Sequence, residues 1–184
     1  MTSHPARSFF AAVFSALLAS PALAQPVGTA ITADLNNDGR AERFTLIDDG
    51  DGSADLRIET GGGVIEAENI AWVGGIGQQP ELGLAPNGSL RLISMNEAIG
   101  RNRWRLTLTI AYRRGAYMVA GYTYDWYDTI ELEDNGSCDL NLLTGKGTLA
   151  RGDSPARPIR TSLNPRRVTA WQDDVQVPEI CRGR

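Results

Sequence analysis

The chain has almost no histidine, lysine or cysteine: His4, Lys146, Cys138 and Cys181 are the only such residues among its 184. His4 falls in an N-terminal stretch that reads as a removable leader, so the working chain is expected to have no histidine. That excludes Ser-His-Asp and Cys-His catalysis and histidine-ligated zinc or iron. Proton transfer near neutral pH is left to carboxylates, tyrosines or Lys146. No catalytic motif stands among the remaining residues, and no catalysis is expected. The two cysteines lack the CxxC spacing of a redox pair. An even count in an exported chain points to one Cys138–Cys181 disulfide. It would close a loop of about 44 residues and add on the order of 4 kcal/mol by the chain-entropy relation. Positive charge is scarce as well. Lys and Arg number 18 against 22 Asp and Glu, with no basic block, which excludes the electrostatic footprint of a nucleic-acid binder.

Long apolar runs are missing beyond the first residues. Residues 9–19 are apolar behind Arg7, and Ser20-Pro21-Ala22-Leu23-Ala24 follows. This arrangement predicts a Sec-type signal peptide cut after Ala24. The run is shorter than the roughly 20 residues that cross a bilayer, so no membrane span is expected. The expected product is periplasmic or secreted. Taking 24 residues from 184 leaves 160, and loss of Arg7 leaves 17 basic against 22 acidic side chains, a formal charge of −5. That length suits one domain. The expected organisation is residues 1–24 as signal peptide, 25–162 as a β domain and 163–184 as an extended tail tied by the disulfide, in a monomer.

No stretch of the mature chain keeps an apolar period of 3.6 residues. Strand-like runs alternate with Gly and Asn turn signals, which predicts a single all-β antiparallel domain, a β-sandwich or curled meander of about 8 to 10 strands. The expected strands are 30–34, 42–48, 54–60, 64–72, 82–84, 89–95, 103–113, 116–127, 139–142 and 148–150. Asn87-Gly88, Arg114-Gly115 and Asn135-Gly136 read as hairpin turns. In 103–113, Trp104, Leu106, Leu108, Ile110 and Tyr112 alternate with Arg103, Arg105, Thr107 and Thr109. A two-residue turn at Arg114-Gly115 sets Thr107 against Tyr122, Arg105 against Tyr124 and Arg103 against Trp126. A shift of one residue would flip that pairing.

Asp34, Asn36, Asp38 and Glu42 place side-chain oxygens at positions 1, 3, 5 and 9 around Gly39. With the carbonyl of Arg40 they form a donor set suited to one hard cation, and Ca²⁺ in a structural role is the expected cofactor. An EF-hand would carry glutamate where Thr45 stands, and Arg43-Phe44-Thr45-Leu46-Ile47 reads as a strand rather than a helix. The DxNxDGxxE loop followed by an apolar strand resembles the calcium loops of FG-GAP and VCBS-type repeats in extracellular β-propellers. The resemblance covers this loop alone and implies its ligand set, not a propeller. Without a cation the same residues would make a hairpin loop with Asp34 and Asp38 in Asx-turns. Asp49-Gly50-Asp51-Gly52-Ser53-Ala54-Asp55 is a partial second copy, with Ile47 where the first aspartate belongs.

Arg103, Arg105, Tyr122, Tyr124 and Trp126 form the expected ligand-binding surface, with Tyr117 and Tyr127 nearby. Asp125, Asp128, Glu131, Glu133 and Asp134 follow, and paired carboxylates beside aromatics are what a glycan hydrolase uses. The stretches 120–128 and 137–147 are similar to segments of small exported proteins of Gram-negative bacteria, a resemblance that implies a periplasmic setting. The expected function is a calcium-stabilised β domain with a binding or structural role toward a protein or glycan. A carboxylate-dependent glycan hydrolase and a protein inhibitor of a periplasmic hydrolase are the alternatives.

Overall fold

A computed structural model describes residues 25–74, 77–172 and 177–182. The expected signal peptide lies outside the described residues. Four strands come first: β1 (Gln25–Ala33), β2 (Glu42–Asp48), β3 (Ser53–Thr60) and β4 (Gly63–Trp72). Seven more follow: β5 (Glu81–Leu84), β6 (Leu90–Asn96), β7 (Asn102–Arg113), β8 (Ala116–Asp128), β9 (Asn135–Asn141), β10 (Lys146–Arg151) and β11 (Ser154–Arg160). The two-residue β12 (Arg166–Arg167), a 3₁₀ turn (Val168–Ala170) and the single-turn helix α1 (Glu179–Arg182) complete the described chain. None of the described helices is long and apolar enough to cross a membrane.

Both sheets are antiparallel meanders. One runs β1-β2-β3-β4, and the other runs β11-β10-β9-β8-β7-β6-β5, with β12 added to β8. The reason is local: apolar residues alternate along each strand, so one face of each sheet must find cover. On β2 Phe44 and Leu46 are buried, on β3 Leu56 and Ile58, on β6 Leu90 and Leu92, on β7 Leu108 and Ile110. These side chains merge in one core. The sheets meet through aromatic pairs, Phe44 with Tyr117 at 6.1 Å and Trp72 with Trp104 at 5.3 Å between ring centroids. The fold is an all-β sandwich.

Three features differ from the sequence expectation. Ser154–Arg160 is a strand despite Pro155 and Pro158, because it lies at the sheet edge, where a missing N–H costs no ladder hydrogen bond. Asn135-Gly136 opens β9 instead of turning the chain, and the turn falls in residues 129–134. There Gly136 leaves room for the Trp126 ring, since a Cβ would stand 2.3 Å from it. Finally, the tail from residue 163 is not simply extended. It carries β12, the 3₁₀ turn and α1, and the Cys138–Cys181 disulfide pins α1 to β9.

The β7–β8 hairpin turns at Arg114-Gly115 and begins in the expected register, Tyr112 opposite Tyr117 and Ile110 opposite Val119. A bulge then inserts Ala120, and beyond it Leu108 faces Tyr122, Leu106 faces Tyr124 and Trp104 faces Trp126. One extra residue moves every later side chain to the opposite face.

Candidate functional site

Residues 34–41 join β1 to β2 in a loop closed by its own acidic side chains. Asp34 accepts hydrogen bonds from the N–H groups of Asp38 (3.1 Å) and Gly39 (3.0 Å), and Asp38 accepts one from Arg40 (2.8 Å). The Asn36 amide donates to Asp38 at 3.1 Å while its oxygen accepts the Asp38 N–H at 2.8 Å. Asn37 and Gly39 take positive φ values of 59° and 85°, which fold the loop back on itself. The result is that one carboxylate oxygen each of Asp34, Asp38 and Glu42 lies within 4.8 Å of the others.

Glu42 is the unusual member. It starts β2 with its side chain turned inward and is 1% exposed. Its hydrogen bond comes from the Leu35 N–H at 2.7 Å. No Lys or Arg forms an ion pair with Asp34, Asp38 or Glu42 among the described residues. A buried carboxylate normally has a cation or several donors, because losing its hydration is costly. Tyr117, 4% exposed, adds to this imbalance. Its hydroxyl has no partner in hydrogen-bonding geometry although Glu42 and Asn36 are its polar neighbours. Burial first, and then the Glu42 charge, push the phenol well above its usual range, so it stays protonated.

No protein-family model, curated protein or solved structure matches this chain. The chemistry open to the loop follows from its donors. All are hard oxygens, the class that Ca²⁺ takes in sets of 6–8, and softer transition metals are disfavoured by the lack of nitrogen and sulfur.

The second acidic loop is built differently. Asp48, Asp49 and Asp51 accept N–H groups of Gly50, Asp51 and Ser53 at 2.8, 3.1 and 3.1 Å, and the Ser53 hydroxyl contacts Asp49 at 2.6 Å as well as Asn69. Burial opposes ionisation of Asp49, but the hydrogen bonds from Ser53 and Asp51 outweigh it and hold the carboxyl below its usual range. Its carboxylates serve their own backbone, and Asp49, Asp51 and Asp55 do not converge as the first loop does.

The bulge changes the cross-strand partners of the expected ligand surface. Tyr122, Tyr124 and Trp126 point with Trp104 toward the core side and stack in sequence, at 6.4 Å for Tyr122–Tyr124 and 5.8 Å for Tyr124–Trp126. Tyr122 packs on Trp171, and the Arg151 guanidinium lies 5.4 Å over Trp126. The far side of this row meets the tail, where Trp104, Tyr124, Trp126, Val177 and Arg182 line a cleft of about 530 Å³. Arg103 and Arg105 stand on the other face, opposite Tyr127 and Asp125. Arg105 pairs there with Glu97 at 3.5 Å, and the Tyr127 hydroxyl donates to the same carboxylate at 3.1 Å. Arg103 nevertheless lines the same cleft as Trp104, Tyr124 and Trp126, whereas Arg105 is turned to Glu97.

In the acidic run that begins at the end of β8, Asp128 and Glu131 are both paired with Arg101. Asp128, 3% exposed, accepts Arg101 Nε at 2.5 Å and the N–H groups of Ile130 and Glu131 at 2.8 and 3.0 Å. The Arg101 hydrogen bond leads in holding its carboxyl at about 2, against burial that pushes it up. An unfolded aspartate titrates near about 3.9. Between those values the unfolded chain binds the extra proton, so stability rises with pH through the window and is lost as pH falls toward about 2. Asp128→Asn is expected to flatten the climb of the melting midpoint between about pH 2 and 4. An unchanged slope in that variant would remove Asp128 from the acid response.

Sequence spacing identified the donors of the first loop but not Tyr117, which arrives from β8. Its only local signal is its place in an alternating strand, and that signal says buried, not which neighbour it meets.

Proposed function

We propose that this chain is an exported β-sandwich, periplasmic or secreted, that holds one structural Ca²⁺ ion at Asp34, Asn36, Asp38, Arg40 and Glu42 and acts by binding rather than by catalysis. The observation that carries this reading is Glu42, a buried carboxylate gathered with those of the exposed Asp34 and Asp38, with no cationic side chain paired to any of them among the described residues. A divalent ion would cancel most of that charge and take the Arg40 carbonyl as a further oxygen. The disulfide supports an oxidising compartment. The hydrolase alternative has less support, since Asp128 is ion-paired and remains ionised far below neutral pH, which unsuits it as a proton donor.

Extracellular calcium modules bind with dissociation constants of about 10⁻⁴ to 10⁻³ M. At about 1 mM Ca²⁺ and a constant of about 0.1 mM, binding adds roughly 1.4 kcal/mol. The melting midpoint should then rise by about 3–6 °C on adding calcium to protein stripped on a chelating resin. Asp34→Ala and Asp38→Ala should lose that rise. A wild-type midpoint indifferent to calcium would overturn the reading.

A further inference from the structure

Beside the acidic loop lies a cavity of about 430 Å³, within the range of about 300–1,000 Å³ common for small-molecule sites. Asn36 and Asp38 form one side of it, and Arg40, Tyr112, Tyr117 and Arg167 contribute the rest of its chemistry. These residues come from the β1–β2 loop, both strands of the β7–β8 hairpin and the tail, so only the folded chain assembles them.

We propose that this cavity binds a small organic carboxylate, which completes the coordination of the calcium ion and is clamped by Arg40 and Arg167; the proposal rests on the calcium reading above. Charge favours an anion. Three carboxylates set against a divalent ion and two guanidinium groups leave one net positive charge at the site. Neither arginine forms an ion pair among the described residues. Arg40 lies over the Gly61 backbone, where a Cβ would meet its guanidinium at 3.3 Å. Arg167 is held at the rim by the pairing of β12 with Met118 on β8. A guanidinium fork matches a carboxylate in two parallel hydrogen bonds. The loop offers five oxygen donors where Ca²⁺ takes 6–8, so the ion has room for one or both oxygens of an incoming carboxylate. The unpartnered Tyr117 hydroxyl is a donor for the same group. Ile65, Tyr112 and Val168 give the carbon skeleton an apolar wall.

Calorimetric titration with D-glucuronate and with acetyl-Ala-Ala separates a sugar acid from a peptide C-terminus as the source of the carboxylate. The full chain is used, stripped on resin, because soluble chelators are themselves carboxylates. Binding of at least one probe with a dissociation constant on the order of 1 mM or tighter in calcium is expected. It should weaken at least tenfold in calcium-free protein and in Arg40→Ala and Arg167→Ala, whose exposed side chains leave the fold intact. Equal binding without calcium, or equal binding of D-glucose or inorganic phosphate, would overturn the proposal. If neither probe binds while calcium still raises the melting midpoint, this proposal fails and the calcium reading stands. A protein that ignores calcium overturns both.

Discussion

Phe44→Ala is expected to destabilise the protein by about 3–5 kcal/mol, the range for emptying a fully buried aromatic position. For a chain of this size the melting midpoint should fall by roughly 6–20 °C. Phe44 is 0% exposed, lies between Ile31 and Ile58 on neighbouring strands, and meets the Tyr117 ring edge-on across the sandwich at 79°. Its loss removes contacts within the first sheet and between the two sheets at once. The effect should reach the acidic loop too, because Glu42 is two positions away on the same face and Tyr117 is their shared neighbour. Urea unfolding measures the cost, and the calcium-induced rise in midpoint should shrink in the same variant. A cost below about 1.5 kcal/mol would mean that the two sheets do not share a close-packed core.

Replacing both cysteines, Cys138→Ala with Cys181→Ala, should cost on the order of 4 kcal/mol, since the unfolded chain regains the freedom of a loop of about 44 residues. That corresponds to a midpoint lower by roughly 8–16 °C. The native tail should also loosen. Besides the disulfide, a hydrogen bond from Arg151 to the Arg182 carbonyl and the packing of Val177 and Ile180 on the core help hold α1 to the sheet, while the bond from Arg182 to the Val177 carbonyl at 2.7 Å lies within the tail. Tyr124 and Trp126, which share a cleft with Val177 and Cys181, would gain water contact. Tryptophan emission in the native state should therefore shift to the red. A double variant melting within about 2 °C of wild type would show that the denatured chain is already constrained without the bond.

Most of the strands were legible from the chain because half-buried strands carry their own code. Alternation marks the face, and Gly or Asn marks where the backbone must reverse. All ten expected strands overlap observed ones: nine, from 42–48 on β2 to 148–150 inside β10, agree to within about four residues at each end, and 30–34 covers only the second half of β1. Where local chemistry spoke against a strand, the expectation failed. Pro155 and Pro158 hid β11, whose edge position no local pattern reveals. Asn135-Gly136 carried a turn signal that packing against Trp126 reassigned.

The register of β7 and β8 teaches the same lesson at the candidate surface. The turn at Arg114-Gly115 sets the pairing correctly for its first residues, and the isolated Gly121 is the one local sign of the bulge beside it, a sign that does not say which way the faces will turn. The bulge is favoured by burial: it turns Tyr122, Tyr124 and Trp126 toward the core side with Leu106 and Leu108, whereas the unbulged register would leave those rings beside the arginines.

The sequence by itself determined the strand content, the even cysteine pair and the spacing of donors in residues 34–42, because each depends on residues close together or on a count. Tertiary structure alone decided which face the aromatic row takes, that Tyr117 meets Glu42, and that Arg40 and Arg167 border one cavity. Those outcomes depend on how two sheets bury their apolar faces against each other, and that energy belongs to contacts between segments far apart in the chain.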